Sequence, residues 1–93
     1  MEITVELDNI GRVETGRKEV AVTVPQGATA RDLLRALVEA LPKLGETTID
    51  AAKGDFYDDE HWLVREDGRG IPDLSQPLDL PDGARLLIVT GVC

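Results

Sequence analysis

Five residue types that usually carry chemistry or anchor a core are nearly absent. The chain has one cysteine, one histidine, one tryptophan, one tyrosine and one phenylalanine. A single cysteine forms no internal disulfide, so the chain is no disulfide-stapled scaffold, and such usage fits a reducing cytosol. No apolar run approaches the roughly 20 residues that cross a bilayer. The start, Met1-Glu2-Ile3-Thr4-Val5, has no signal-peptide pattern. The expectation is a cytoplasmic protein with no membrane partner. Basic residues are also scarce. Ten Lys and Arg stand against 18 Asp and Glu, a formal net charge of −8, and the only lysines are Lys18, Lys43 and Lys53. A field of that sign repels phosphates and argues against a nucleic-acid partner. It fits a partner with a basic face; solubility or adaptation to salt explains it equally well.

With few aromatics, Leu and Val must fill the core. Ninety-three residues, 42% of them hydrophobic, make one domain, 1–93, able to bury about 60–65% of the unfolded surface. Glu2 to Asp8 alternates strictly, with Ile3, Val5 and Leu7 on one face. Glu19 to Val24 alternates again through Val20, Val22 and Val24. Both read as half-buried strands. The polar stretch between them, with Asn9, Gly11 and Gly16, reads as a long hairpin loop. Thr29 and Asp32 form a capping-box pattern before Leu33, Leu34, Leu37, Val38 and Leu41 at helical spacing. Arg31, Arg35 and Glu39 are expected to face out, and Pro42 stops the helix near Leu41.

Gly45 to Glu60 has no period; Ile49 to Ala52 fits a helical turn or a short strand, and Phe56 and Tyr57 are expected to pin the segment. Asp55, Asp58, Asp59 and Glu60 lack calcium-loop spacing and read as a solvated acidic loop. His61, without a cysteine or second histidine nearby, reads as a surface residue. His61 to Glu66 is a third strand with its turn at Asp67 to Gly70. A proline-rich arm follows from Ile71 to Leu80. Pro81-Asp82-Gly83 then turns the chain into Leu86-Leu87-Ile88-Val89, apolar on both faces as in a central strand. Thr90-Gly91-Val92-Cys93 is expected to leave the fold as a tail. If Leu86 and Ile88 pack under the helix, Leu87 and Val89 lie on the other face, and Trp62 joins them in one of its two registers. That makes a patch for docking a partner; a second small core under Gly45 to Glu60, or self-association, would use it equally well.

No Ser-His-Asp set, no paired carboxylates on defined strands and no glycine-rich phosphate loop is present, and the chain is not expected to be an enzyme. The order is β-β-α-β-β, and the stretch Pro77 to Gly91 carries Pro77-Leu78, Asp82-Gly83 and the apolar strand Leu86 to Val89. This resembles the ubiquitin-like β-grasp superfamily. It is closest to the sulfur-carrier branch, the small subunit of molybdopterin synthase and the thiamin-pathway carrier, whose members typically show Pro-Leu-x-Asp-Gly-Asp-x-Val, an apolar strand and a terminal Gly-Gly. The resemblance implies an α+β β-grasp fold, a mixed four- to five-stranded sheet packed on one main helix. It also implies that a partner adenylating enzyme of the activating type uses ATP to activate the tail carboxylate, with no cofactor bound by the chain itself. The adenylate then goes to a thiocarboxylate or, through thioesters, to a lysine amide.

The departure is Gly91-Val92-Cys93 in place of Gly-Gly. Either a processing protease removes Val92 and Cys93 and leaves Gly91, or the channel accepts a side chain. Cys93 reads as a discarded extension, a retained thiol beside the activated carboxylate, or an incidental surface thiol. Variable tails occur in some bacterial ubiquitin-like proteins encoded beside activating, conjugating and deubiquitinating-type enzymes. The atypical end tilts the expectation toward a bacterial modifier of that kind, ahead of a sulfur carrier and of a non-conjugated binding module.

Overall fold

The computed structural model describes residues 1–91; Val92 and Cys93 lie outside the described residues. The first two strands, β1 (Glu2–Glu6) and β2 (Glu19–Thr23), pair antiparallel with Ile3 opposite Val22 and Val5 opposite Val20. The alternating pattern places these four side chains in the core, nearly free of solvent. The last strand, β6 (Ala84–Thr90), lies parallel to β1 and antiparallel to β5 (His61–Arg65). The sheet order is β2-β1-β6-β5. The strand with the apolar run is therefore internal, as its composition requires.

The connection between β1 and β2 is not the expected open loop. It folds into α1 (Asn9–Thr15), because Asp8 caps it and Gly16 ends it. Asp8 Oδ1 accepts the Gly11 N–H at 2.8 Å, and the Gly16 N–H donates to the Arg12 carbonyl at 2.8 Å. Gly16 sits at φ 73°, the left-handed conformation in which a Cβ is strained.

Helix α2 (Ala30–Ala40) begins as its sequence indicates. The Thr29 hydroxyl accepts the Asp32 N–H, and the Asp32 carboxylate accepts the Thr29 N–H. Leu33, Leu34 and Leu37 are buried completely against the sheet. Arg31 and Arg35 do more than face out. Arg31 Nη1 donates to the Lys53 carbonyl at 3.0 Å and Arg35 Nε to the Ala51 carbonyl at 3.1 Å. They hold down the turn of a small hairpin, β3 (Ile49–Asp50) with β4 (Asp55–Phe56), which follows the single-turn helix α3 (Leu44–Thr47). The segment without a readable period thus consists of very short elements. Leu44 and Ile49 anchor it in the core. Phe56 packs against the core, and the exposed Tyr57 ties back by donating its hydroxyl to the Gly45 carbonyl.

The proline-rich arm crosses the start of α2. The Leu74 carbonyl accepts the Arg31 N–H, one of the donors that a helix start leaves without an intrahelical partner, and the Leu78 N–H donates to the Ala28 carbonyl. The architecture is α+β, a four-stranded mixed sheet on one main helix with a separate two-stranded hairpin. Among the described residues no helix is long and apolar enough to cross a membrane.

Candidate functional site

Strand alternation sorts β6 into two faces. Leu86 and Ile88 are buried under α2, so Arg85, Leu87 and Val89 project from the opposite face. The β5–β6 register settles the position of Trp62. Trp62 lies opposite Val89 and Val64 opposite Leu87. Residues opposite each other share a sheet face, so Trp62, Val64, Leu87 and Val89 form one apolar patch. Trp62 is 51% exposed, and the other three are half-buried. The three expected patch residues are therefore together, and Val64 joins them by its register.

A groove of about 480 Å³ runs beside the patch, between the end of β6 and the start of α1. Its lining includes Leu87, Val89, Glu6 and Ile10. Ile10 and Val13 on α1 add exposed apolar surface that the sequence reading missed, since it treated this stretch as a loop. Toward β2 the face turns polar. Arg85 Nη1 pairs with Glu19 Oε2 at 2.5 Å and lies 3.8 Å from Glu6 Oε2. The hydrogen bond that Arg85 donates to Glu19, with the charges of Glu19 and Glu6 behind it, holds the guanidinium still more firmly protonated. An exposed pair of this kind adds little to stability, but it leaves the apolar patch bordered by carboxylates.

The tail begins later than its composition suggests. β6 extends through Thr90, so Thr90 is a strand residue, and Gly91 is the first residue beyond it. Val92 and Cys93, the other two residues assigned to the tail, lie outside the described residues. Thr90 stands opposite His61 in the ladder, and there the surface reading of His61 is corrected. Its side chain is only 4% exposed. The Nδ1 atom is 2.8 Å from Asp58 Oδ1, and Nε2 is 3.1 Å from Asp8 Oδ2. The ring stacks on Phe56 with centroids 5.7 Å apart.

Burial without partners would be costly for both His61 and Asp8. The pairing removes that cost, and the Asp8 carboxylate is saturated further by the Gly11 N–H and by the Thr90 hydroxyl at 2.6 Å. The hydrogen bond from His61, with one from the Glu60 N–H, lowers the Asp58 carboxyl below its ordinary range. Sequence reading missed this cluster because Asp8 and His61 are 53 residues apart. Among the described residues no group of acidic, cysteine or histidine side chains is arranged to hold a metal ion.

No protein-family model matches the chain, and no curated protein does. Solved structures do. The chain is 27% identical to small archaeal modifier protein 1 of Haloferax volcanii, seen in two crystal structures. The TM-scores are 0.76 and 0.77, with 98% and 99% of this chain covered and 98% and 97% of the other. A protein of Pyrococcus furiosus described as a molybdopterin converting factor, subunit 1, aligns over 99% of both chains with a TM-score of 0.73 at 22% identity. At that identity the likeness speaks for the fold alone.

The chain has the ubiquitin-like β-grasp fold, as the order of its elements and its Pro77 to Gly91 stretch suggested. The likeness that bears on role is to small archaeal modifier protein 1, a ubiquitin-like modifier. The neighbours are archaeal, and the expectation of a bacterial source gains nothing from them.

Proposed function

We propose that this chain is a protein modifier that acts through the carboxylate of its C-terminal tail. The observation that carries the reading is the course of β6. An internal strand, fixed on both edges, delivers the chain at Gly91 beside an exposed apolar patch. The 27% identity to small archaeal modifier protein 1 over nearly the whole chain supports the modifier role ahead of the sulfur carrier.

In this reading a partner adenylating enzyme docks on Trp62, Leu87 and Val89. A tail carboxylate oxygen attacks the α-phosphorus of ATP held by that enzyme, and pyrophosphate leaves. A partner enzyme's thiol then displaces AMP from the acyl-adenylate to form a thioester. A lysine amine of the target, directly or after transfer to a conjugating enzyme's thiol, displaces the thiol to form the amide. The chain supplies the docking face and the tail; ATP and the catalytic groups belong to the partner. Glycine at position 91 suits a narrow channel, because no Cβ blocks close approach. A protease that removes Val92 and Cys93 would leave Gly91 as the reacting end.

The test is ATP–pyrophosphate exchange with an activating enzyme. Deletion of residues 90–93, or Gly91→Pro, is expected to abolish exchange while the circular dichroism of the fold is kept. Exchange at the full rate with the truncated chain would refute the tail as the acceptor.

A further inference from the structure

The root of the tail is gripped from both faces of the sheet. On the helix side the Thr90 hydroxyl donates to Asp8 Oδ2, the oxygen that also faces His61 Nε2. Asp8 is itself immobilised, because its other oxygen caps α1 through the Gly11 N–H. His61 is held in turn by Asp58 and by the stack on Phe56. On the opposite face Trp62 lies against Gly91. A Cβ at Gly91 would stand 2.5 Å from the indole Nε1, closer than real Cβ atoms come, and a tight 3.1 Å from Cδ1, so the indole would have to shift. Between the two faces the Gly91 N–H donates to the Glu60 carbonyl at 2.5 Å, one step past the His61–Thr90 pair.

A buried polar network is seldom the cheapest way to stabilise a small core; apolar side chains of similar volume often do as well or better. Asp8 and His61 are 5% and 4% exposed, and both sit at the point where the last strand stops. Their place in the molecule accounts for them better than stability does. Asp8 joins three elements at this point: the end of β1, the start of α1 and the end of β6.

We propose that Asp8, His61 and Thr90 on one face and Trp62 on the other are positioning residues that fix the direction in which the tail leaves the sheet. Gly91 is then part of the gripped root, and it must detach from Glu60 and Trp62 before its own carbonyl carbon can be presented to an enzyme. The second statement rests on the modifier reading. The first does not.

The test uses the whole chain. Hydrogen exchange of the Gly91 amide is followed by NMR in the wild type, in Thr90→Val and in Thr90→Ser, with the Val5 and Leu33 amides as reporters of global opening. The wild-type Gly91 amide is expected to be protected. Loss of a charge-assisted hydrogen bond in Thr90→Val is expected to speed its exchange by about tenfold or more, with Val5 and Leu33 unchanged. Thr90→Ser, which keeps the hydroxyl, restores protection. A Gly91 amide that exchanges at the open-chain rate in the wild type overturns the proposal, and so does a rate that is the same in all three proteins.

A second variant is independent of Thr90. Trp62 is the only tryptophan, so Gly91→Ala is expected to shift its fluorescence emission as the methyl displaces the indole. An unchanged spectrum overturns the contact. Pyrophosphate exchange, measured separately, keeps the two readings apart. A protected Gly91 in a chain that no activating enzyme accepts sustains the grip and removes the modifier role. Activation of a chain with an unprotected Gly91 does the reverse.

Discussion

Val64 and Leu87 lie opposite each other across the β5–β6 ladder and project from the face that Leu86 and Ile88 leave free. Neither belongs to the buried core, and Trp62 and Val89 form the adjacent pair on the same side. The apolar area of this face is therefore not accounted for by folding.

For the docking face, Leu87→Ser is expected to lower kcat/KM for pyrophosphate exchange by roughly thirtyfold, about 2 kcal/mol, through a raised KM. The urea midpoint should move little, since Leu87 is only half-buried. A variant activated as well as the wild type would place the enzyme on another face.

For the core, Leu37→Ala is expected to cost about 2–5 kcal/mol. Leu37 is completely buried in the middle of the α2 stripe. Chemical denaturation measures the loss; an unmoved midpoint would contradict the packing of α2 on the sheet.

The start of α2 gives a pH dependence with a definite sign. The Asp32 carboxyl is lowered by the hydrogen bond from the Thr29 N–H and then by the Thr29 hydroxyl. A group lowered on folding stabilises the fold above its unfolded value, about 3.9 for Asp, and loses that contribution as the pH falls through its lower folded value. Denaturant midpoints between about pH 2 and 6 should therefore fall more steeply in the wild type than in Asp32→Ala. Parallel curves would contradict the capping box. Thr29→Ala at neutral pH should cost about 0.5–2 kcal/mol.

Much of this fold is legible in local pattern. The strict alternation of Glu2 to Asp8 and Glu19 to Val24, and the Thr29–Asp32 cap before a leucine stripe, specify two strands and the main helix. The apolar run of Leu86 to Val89 marks the internal strand. Helix α1 escaped because it buries only Gly11 and leaves Ile10 and Val13 exposed, so it carries no apolar stripe to read. Its ends were nonetheless marked, by Asp8 before it and Gly16 after it. The hairpin of β3 and β4 has two residues per strand, too few for a period. The candidate site divides in the same way. Leu87 and Val89 follow from alternation, and Trp62 required the register of a neighbouring strand. The burial of His61 depends on Asp8 at the other end of the chain, and no local signal announces a contact over that distance.

The most direct test of the modifier role is the intact mass of the chain and of its targets after incubation with ATP, an activating enzyme and cell extract. The account predicts an adduct in which the tail, ending at Gly91 or beyond it, is joined to a lysine of another protein. A chain that instead exchanges one terminal oxygen for sulfur would contradict the modifier role and establish a carrier. A chain of unchanged mass with no adduct would contradict both and leave a binding module.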